Sequence, residues 1–154
     1  MNKQSTTKEY IENVLKRNRF AVLATEGDGQ PHVSLIAITP FASYHQLIFA
    51  TYRNTLKYRN LSQNSRVALF IENENVNIPG PTDKVALTII GQTREISISD
   101  REAAFQAHLR WHPEMEIFMH SSDCALIMVL AHSYQIVNGI DDIRWITAQD
   151  LDAL

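Results

Sequence analysis

The order of segments in this chain predicts a mainly β protein, a small antiparallel β-barrel with peripheral α-helices. Three observations carry that expectation. Six or seven short apolar runs are rich in strand formers, most are joined by tight connections, and helical periodicity is confined to the start, the middle and the end. Strands joined so closely pair antiparallel, and closing them into a barrel removes exposed edges. The 154 residues fit one domain, 1–154. A globule of this size hides roughly 70% of its unfolded-chain surface and needs neither disulfide nor metal to hold a core.

Thr6 and Glu9 form a capping-box pair, and Tyr10, Ile11, Val14 and Leu15 recur at helical spacing. They predict a first helix that Asn18 and Arg19 end. Residues 20–25 (FAVLAT) predict a buried strand, and Gly27-Asp28-Gly29 supplies the positive φ values of a tight hairpin. Its partner is 31–39 (PHVSLIAIT), with Val33, Leu35 and Ala37 on one face and His32, Ser34, Ile36 and Ile38 on the other. Pro40 ends it. A loop through Ser43-Tyr44-His45 leads to a third strand at 46–51. Within 54–63, Leu56, Asn60 and Leu61 lie at helical spacing; 65–71 returns to strand. The Asn- and Pro-rich segment 72–83 predicts a loop.

Residues 85–97 predict a long strand in which Gly91 marks a bulge or bend. Ser99 with Glu102 opens a helix that reaches about Trp111. His112-Pro113 interrupts it, and a further turn or two runs to His120. Strands follow at 124–130 and 134–138 around a short turn, and Thr147 caps a terminal helical turn.

Charge and composition exclude several classes. Fourteen Lys+Arg against 17 Asp+Glu give a formal charge of −3, which argues against a protein that tracks nucleic-acid phosphates. No run approaches the roughly 18 apolar residues of a membrane span, and the polar residues 1–8 do not read as a signal peptide. The lone Cys124 precludes an internal disulfide and most thiolate metal sites. A reducing cytoplasm is the expected location. His108 and His112 are four apart, the spacing of two ligands on one helix face. With no Glu between them as in a zinc-protease helix, and Pro113 next, a partly exposed helix end is the better reading and no metal is expected. His32, His45, His120 and His132 are scattered and read as surface or hydrogen-bonded residues, and Cys124 reads as a buried, inert thiol. There is no Gly-x-Ser-x-Gly elbow, P-loop or dinucleotide fingerprint. Nothing identifies a catalytic acid or base.

Residues 49–66 are different. A strand ends in Phe49-Ala50-Thr51, and Tyr52-Arg53-Asn54-Thr55-Leu56-Lys57 leads onto a helix. The hydroxyls of Thr51 and Thr55, the Lys57 ammonium, Arg53 and free backbone N–H groups then surround a helix N-terminus. Such a cluster holds a phosphate through the helix dipole and charge-assisted hydrogen bonds. The same residues also read as a helix capped by Thr55 or Asn54, with Lys57 and Arg53 solvated. On physical grounds the two readings weigh evenly.

Residues 20–69 resemble the FMN-binding split-barrel superfamily, whose best-known member is pyridoxamine 5′-phosphate oxidase. The resemblance rests on Ala21-Val22-Leu23-Ala24-Thr25, then Gly29-Gln30-Pro31-His32, then Thr51…Thr55-x-Lys57…Asn60-Leu61…Asn64-Ser65-Arg66-Val67, in that order and spacing. Farther along, Leu87-Thr88-x-x-Gly91, His112-Pro113-Glu114, Val137-x-Gly139 and Trp145-Ile146 resemble the branch related to bacterial haem-utilisation proteins.

This resemblance implies a six-stranded antiparallel split barrel that forms a homodimer with two flavin sites at the interface. It implies that Thr51, Thr55 and Lys57 grip the flavin phosphate. It sets Val33, Ser34 and Leu35 along the isoalloxazine ring, with Trp145 and the Asn138-Gly139 turn closing the site from the other subunit. The chain departs from the oxidase at Ser34 and Thr39, where the oxidase carries an Arg and a Lys, and it lacks the C-terminal Arg-x-His motif. Each lost charge-assisted bond is worth about 1.5–3 kcal/mol, so pyridoxamine phosphate is not the expected substrate. The implied function is an FMN-dependent oxidoreductase acting on an unidentified small molecule. Two alternatives are a haem-binding or haem-degrading protein and a non-catalytic dimeric binding module.

Overall fold

Helix α1 (Lys3–Arg17) opens the chain in the computed structural model, which describes residues 3–74, 84–139 and 141–153. Its Ile11, Val14 and Leu15 are fully buried, each worth roughly 1.5–3 kcal/mol of burial. The helix starts before Thr6, which is therefore an interior residue and not its cap. Strands β1 (Phe20–Gly27) and β2 (Gln30–Ala37) pair across Asp28 and Gly29, whose φ values of 53° and 81° match a two-residue hairpin turn.

The chain continues through β3 (Thr39–Phe41), β4 (Ser43–Tyr52), α2 (Leu56–Gln63), β5 (Arg66–Glu74) and β6 (Lys84–Glu95). Then come α3 (Ile98–Trp111), a 3-10 turn at Pro113–Met115, α4 (Glu116–His120), β7 (Cys124–Asn138), β8 (Asp142–Thr147) and α5 (Ala148–Asp152). All eight strands belong to one antiparallel sheet, in the order β2-β1-β5-β6-β7-β4-β3 with β8 beside β7. Inward side chains including Leu23, Phe49, Leu69, Leu87 and Ile127 close on one core with α1. Outside β4 and β7 a second core forms, where Ile48, Ala50, Leu126 and Met128 pack under Ala104 of α3 and Met119 of α4. Strands buried on both faces read as unbroken apolar runs, as 47–50 and 124–130 do.

Among the described residues there are eight strands where six are expected, within the antiparallel barrel-like sheet and peripheral helices that are expected. Pro40 does not end the sheet: β3 pairs with β4 through a bulge at Pro40/Phe41, and Ala42, at φ 66°, turns the chain. Ser43, Tyr44 and His45 therefore begin β4 and are not a loop. β8, six residues long and mostly exposed, is an addition to the expected strands. The expected turn between 130 and 134 is absent, because β7 runs straight through. There the register with β6 passes from Ile90↔Ser133 to Gly91↔Ala131, so His132 is a bulged residue. A Cβ at Gly91 would collide with the Leu130 carbonyl, so this bulge depends on glycine. Helix α3 starts one residue before the Ser99–Glu102 pair, with Ser97 at its N-cap and no side-chain cap bond. Strand β5 extends into the expected loop as far as Glu74, and residues 75–83 lie outside the described residues.

The expected exposed helix end at His108 and His112 is instead fully buried. His112 Nε2 donates to the Ile38 carbonyl at 2.8 Å, and His108 Nδ1 lies 2.8 Å from Thr39 Oγ1. Arg19 clamps the helix end from outside through the Trp111 carbonyl and Glu114. α5 is docked by the buried Leu151 and by His45, whose Nδ1 and Nε2 each lie 2.6 Å from an oxygen, of Tyr134 and of Asp152. Among the described residues no helix is long and apolar enough to cross a membrane.

Candidate functional site

The sheet is open between its two ends. β2 pairs only with β1, so its other edge carries free N–H and C=O groups. β3 covers β4 only as far as Ile48 on that side, so residues 49–52 of β4 are also uncovered there. The gap between β2 and β4 is a split in the barrel, and the turn from β4 into α2 lies at one end of it.

That turn gathers the hydroxyls. Thr55 is the N-cap of α2: its Oγ1 accepts from the Tyr58 N–H and donates to the Tyr52 carbonyl at 2.9 Å. Thr51, fully buried, places Oγ1 3.1 Å from both Thr55 Oγ1 and the Tyr52 carbonyl. The first N–H groups of α2, on Leu56 and Lys57, have no intrahelical acceptor. Lys57 is half-buried, burial pulls its pKa down, and its ammonium pairs with no carboxylate among the described residues. A partly desolvated cation without a counterion, beside two hydroxyls and open helix N–H groups, is suited to an anion.

The sequence-derived site residues divide into four groups. Thr51, Thr55 and Lys57 come together as expected. Arg53 turns away: Nη2 binds Glu95 at 2.6 Å, Nη1 donates to the Cys124 carbonyl at 3.1 Å, and the Glu95 carboxylate raises its pKa. It is a strut joining the β4–α2 turn to β6 and β7. On β2 the side chains alternate. Ser34 points to the inner side, and its Oγ is buried without a partner, as is the neighbouring His32 Nδ1. Val33 and Leu35 lie on the outer face at 64% and 70% exposure, and Trp145 of β8 shares that face at 60%.

Register places Leu35, Val22, Phe70, Thr88, Gln135 and Trp145 in one row across that face. At about 4.8 Å per strand step, Leu35 and Trp145 are some 24 Å apart along the sheet. Within one chain they cannot touch the same ligand.

Sequence reasoning missed the seal beside Thr39. His108, His112 and Thr39 are all fully buried, leaving no room at Thr39 for a second anion. His108 Nε2 has no partner, and desolvation, with His112 alongside, holds its pKa at about 4. Only the four-residue spacing of the two histidines hinted that they act together. Among the described residues no three His, Cys, Asp or Glu side chains are grouped to hold a metal.

None of the curated proteins matches the sequence. Solved structures do match in fold. A haem-binding protein from Mycobacterium smegmatis aligns over 95% of this chain with TM-score 0.84 and 18% identity, and the chain spans 60% of its length. A FAD-binding protein from Mesorhizobium loti aligns over 83% of this chain and 91% of its own, with TM-score 0.69 and 16% identity. HutZ, the haem storage protein from Vibrio cholerae, aligns over 88% and 92%, with TM-score 0.65 and 14% identity. At such identities the likeness is one of fold. The profile of pyridoxamine 5′-phosphate oxidase matches residues 7–129, from within α1 into the first part of β7, and by that match the chain belongs to the pyridoxamine 5′-phosphate oxidase family.

Proposed function

We propose that two copies of this chain form a homodimer holding FMN in the split between β2 and β4, and that it acts as an oxidoreductase on a small molecule other than pyridoxamine phosphate. The observation that carries this reading is Lys57, half-buried and without a counterion among the described residues, beside Thr51, Thr55 and the open N–H groups of α2. The residues present fit a flavin phosphate there. Both threonine hydroxyls now point at protein acceptors and need only rotate to donate to a phosphate oxygen. The free edge of β2 offers alternating N–H and C=O groups to the polar edge of a flat ring, and the unpartnered Ser34 Oγ lies on the same strand. Bound FMN supplies reversible two-electron chemistry; the protein orients it and shields it from water.

The dimer is supported by the bare outer face. Apposed outer faces bring Trp145 of one copy to the β2 edge of the other, which one chain alone cannot do. The choice against pyridoxamine phosphate is supported by Thr39, which is sealed under His108.

Titration with FMN, followed by quenching of flavin fluorescence, tests the site. Wild type is expected to bind, and Lys57→Glu to bind at least a hundredfold more weakly, because a like charge then faces the phosphate. Equal binding by both proteins removes the assignment. Sedimentation should give a dimer at micromolar concentration; a monomer there would falsify the shared site. The second reading is haem binding, supported by the fold shared with the Mycobacterium smegmatis and Vibrio cholerae proteins. A haemin titration separates the two, since haem binding is indifferent to Lys57→Glu.

A further inference from the structure

The inner face of β2 carries two polar atoms that the fold leaves unsatisfied. His32 Nδ1 and Ser34 Oγ are both buried with no hydrogen-bond partner among the described residues. Two residues apart, they share one face of the strand and stand about 6.6 Å from each other along it. A buried polar atom without a partner is destabilising, so two in one row mark a place where a bound group completes the bonds.

His32 lies at the end of the split that α2 closes. Its cross-strand partner is Thr25, and direct partners share a face of the sheet. Thr25 Oγ1 accepts from Asn60 Nδ2 of α2 at 3.1 Å, and both residues are buried. The helix presses on β1 so closely there that a Cβ at Gly27 would collide with the Asn60 side-chain amide. Lys57 is one turn before Asn60 and therefore on the same side of α2. The chain of neighbours His32, Thr25, Asn60 and Lys57 brings imidazole and ammonium to one end of the split from two different elements. Glu26, the next residue of β1, points to the other face, where the Gly29 N–H and Asn64 Nδ2 hold its carboxylate.

We propose that His32 is a phosphate ligand of the flavin site, donating an imidazole N–H to the phosphate that Lys57 holds from α2. The inference rests on the flavin reading and deepens it: the phosphorylated cofactor is selected from both walls of the split, not by the β4–α2 turn alone. A phosphate has oxygens on every side, and the one turned toward β2 needs a donor on that wall. Ser34 faces Leu23, one pair farther from the Thr25–Asn60 contact with α2. It meets the uncharged sugar-alcohol chain and does not read the phosphate.

The full chain is titrated with FMN and, separately, with riboflavin, which lacks the phosphate, following flavin fluorescence. Wild type is expected to prefer FMN. His32→Leu should weaken FMN by about tenfold or more, the loss of one charge-assisted bond, and leave riboflavin unchanged. His32→Gln keeps an N–H donor and should recover most of the FMN affinity. Ser34→Ala should weaken the two flavins alike. His32→Glu puts a like charge beside the phosphate and should cost FMN more still; polar at a half-buried position, it keeps the test open if His32→Leu folds poorly. A merely structural histidine would weaken both flavins together and leave their ratio where it was. The proposal is overturned if wild type prefers FMN, Lys57→Glu loses that preference, and the His32 variants keep the wild-type ratio. Equal binding of the two flavins by wild type, or a preference that survives Lys57→Glu, instead overturns the phosphate site itself and this inference with it.

Discussion

The outer surface of the sheet is finished in two different ways. Over β4 and β7 the outward side chains Ile48, Ala50, Leu126 and Met128 are sealed by α3 and α4 from the same chain. Over β1, β2, β5, β6 and β8 the outward Val33, Leu35, Phe70 and Trp145 stay bare. Both halves are apolar, so hydrophobicity alone does not say which half is finished internally. The difference lies in the connections: the long one from β6 to β7 supplies two helices, whereas the β1–β2 hairpin supplies none. The bare half is the surface that the proposed dimer would cover.

The largest expected effect breaks the comparison outright. Leu126→Ala should cost about 2–5 kcal/mol in urea unfolding, since it empties a sealed site. Leu35→Arg should leave the protomer's fold intact and show only in sedimentation, as a dimer turned monomer. If Leu35→Arg instead unfolds the chain, the bare half is an internal core and the comparison fails.

The sealed half should also be sensitive to acid. The folded-state pKa of His108 is about 4, below the ordinary value of 6.5, because burial disfavours its charged form. Its contribution is complete above pH 6.5 and is lost as pH falls toward 4, where the unfolded chain takes up a proton that the folded chain refuses. Thr39, His112 and Glu114 face it; His112 reinforces the shift and Glu114 opposes it. Up to roughly 3 kcal/mol is at stake. Urea midpoints at pH 7 and pH 5 measure it, and His108→Leu should flatten the slope. A slope that survives that substitution assigns the acid sensitivity to other groups.

The smallest effect sharpens the boundary at the split. Thr55→Ala removes the N-cap of α2 and should cost about 1 kcal/mol of stability. If the hydroxyl also serves the phosphate, FMN affinity falls in the same variant while the dimer persists. Stability loss with unchanged FMN affinity makes Thr55 a cap and nothing more.

Local chemistry made much of this visible in the sequence. The Asp28-Gly29 turn announced the β1–β2 hairpin, and Thr51, Thr55 and Lys57 lie close enough in sequence for one turn to gather them. What could not be seen depends on distant partners. His132 looked like part of a turn because the bulge that displaces it is made by Gly91, on another strand. His108 and His112 looked exposed because the groups that bury them, Ile38, Thr39 and Arg19, lie some seventy to ninety residues earlier. Arg53 looked free because Glu95 and the Cys124 carbonyl lie 42 and 71 residues later. The strand carrying Trp145 is short, six residues, and most of its side chains are exposed, so no core pattern marked it.

The place of β7 in the sheet has a consequence for how the protein is made. Among the described strands it alone joins the β2-β1-β5-β6 ladder to the β4-β3 pair. During synthesis these groups emerge as two fragments with no shared ladder, and each waits with an unpaired flank until residues 124–138 leave the ribosome. Closure is late and long-range, which slows folding and prolongs the exposure of sticky edges. A nascent chain stalled just before Cys124 should therefore be the stage at which a chaperone that binds exposed strands has most to hold.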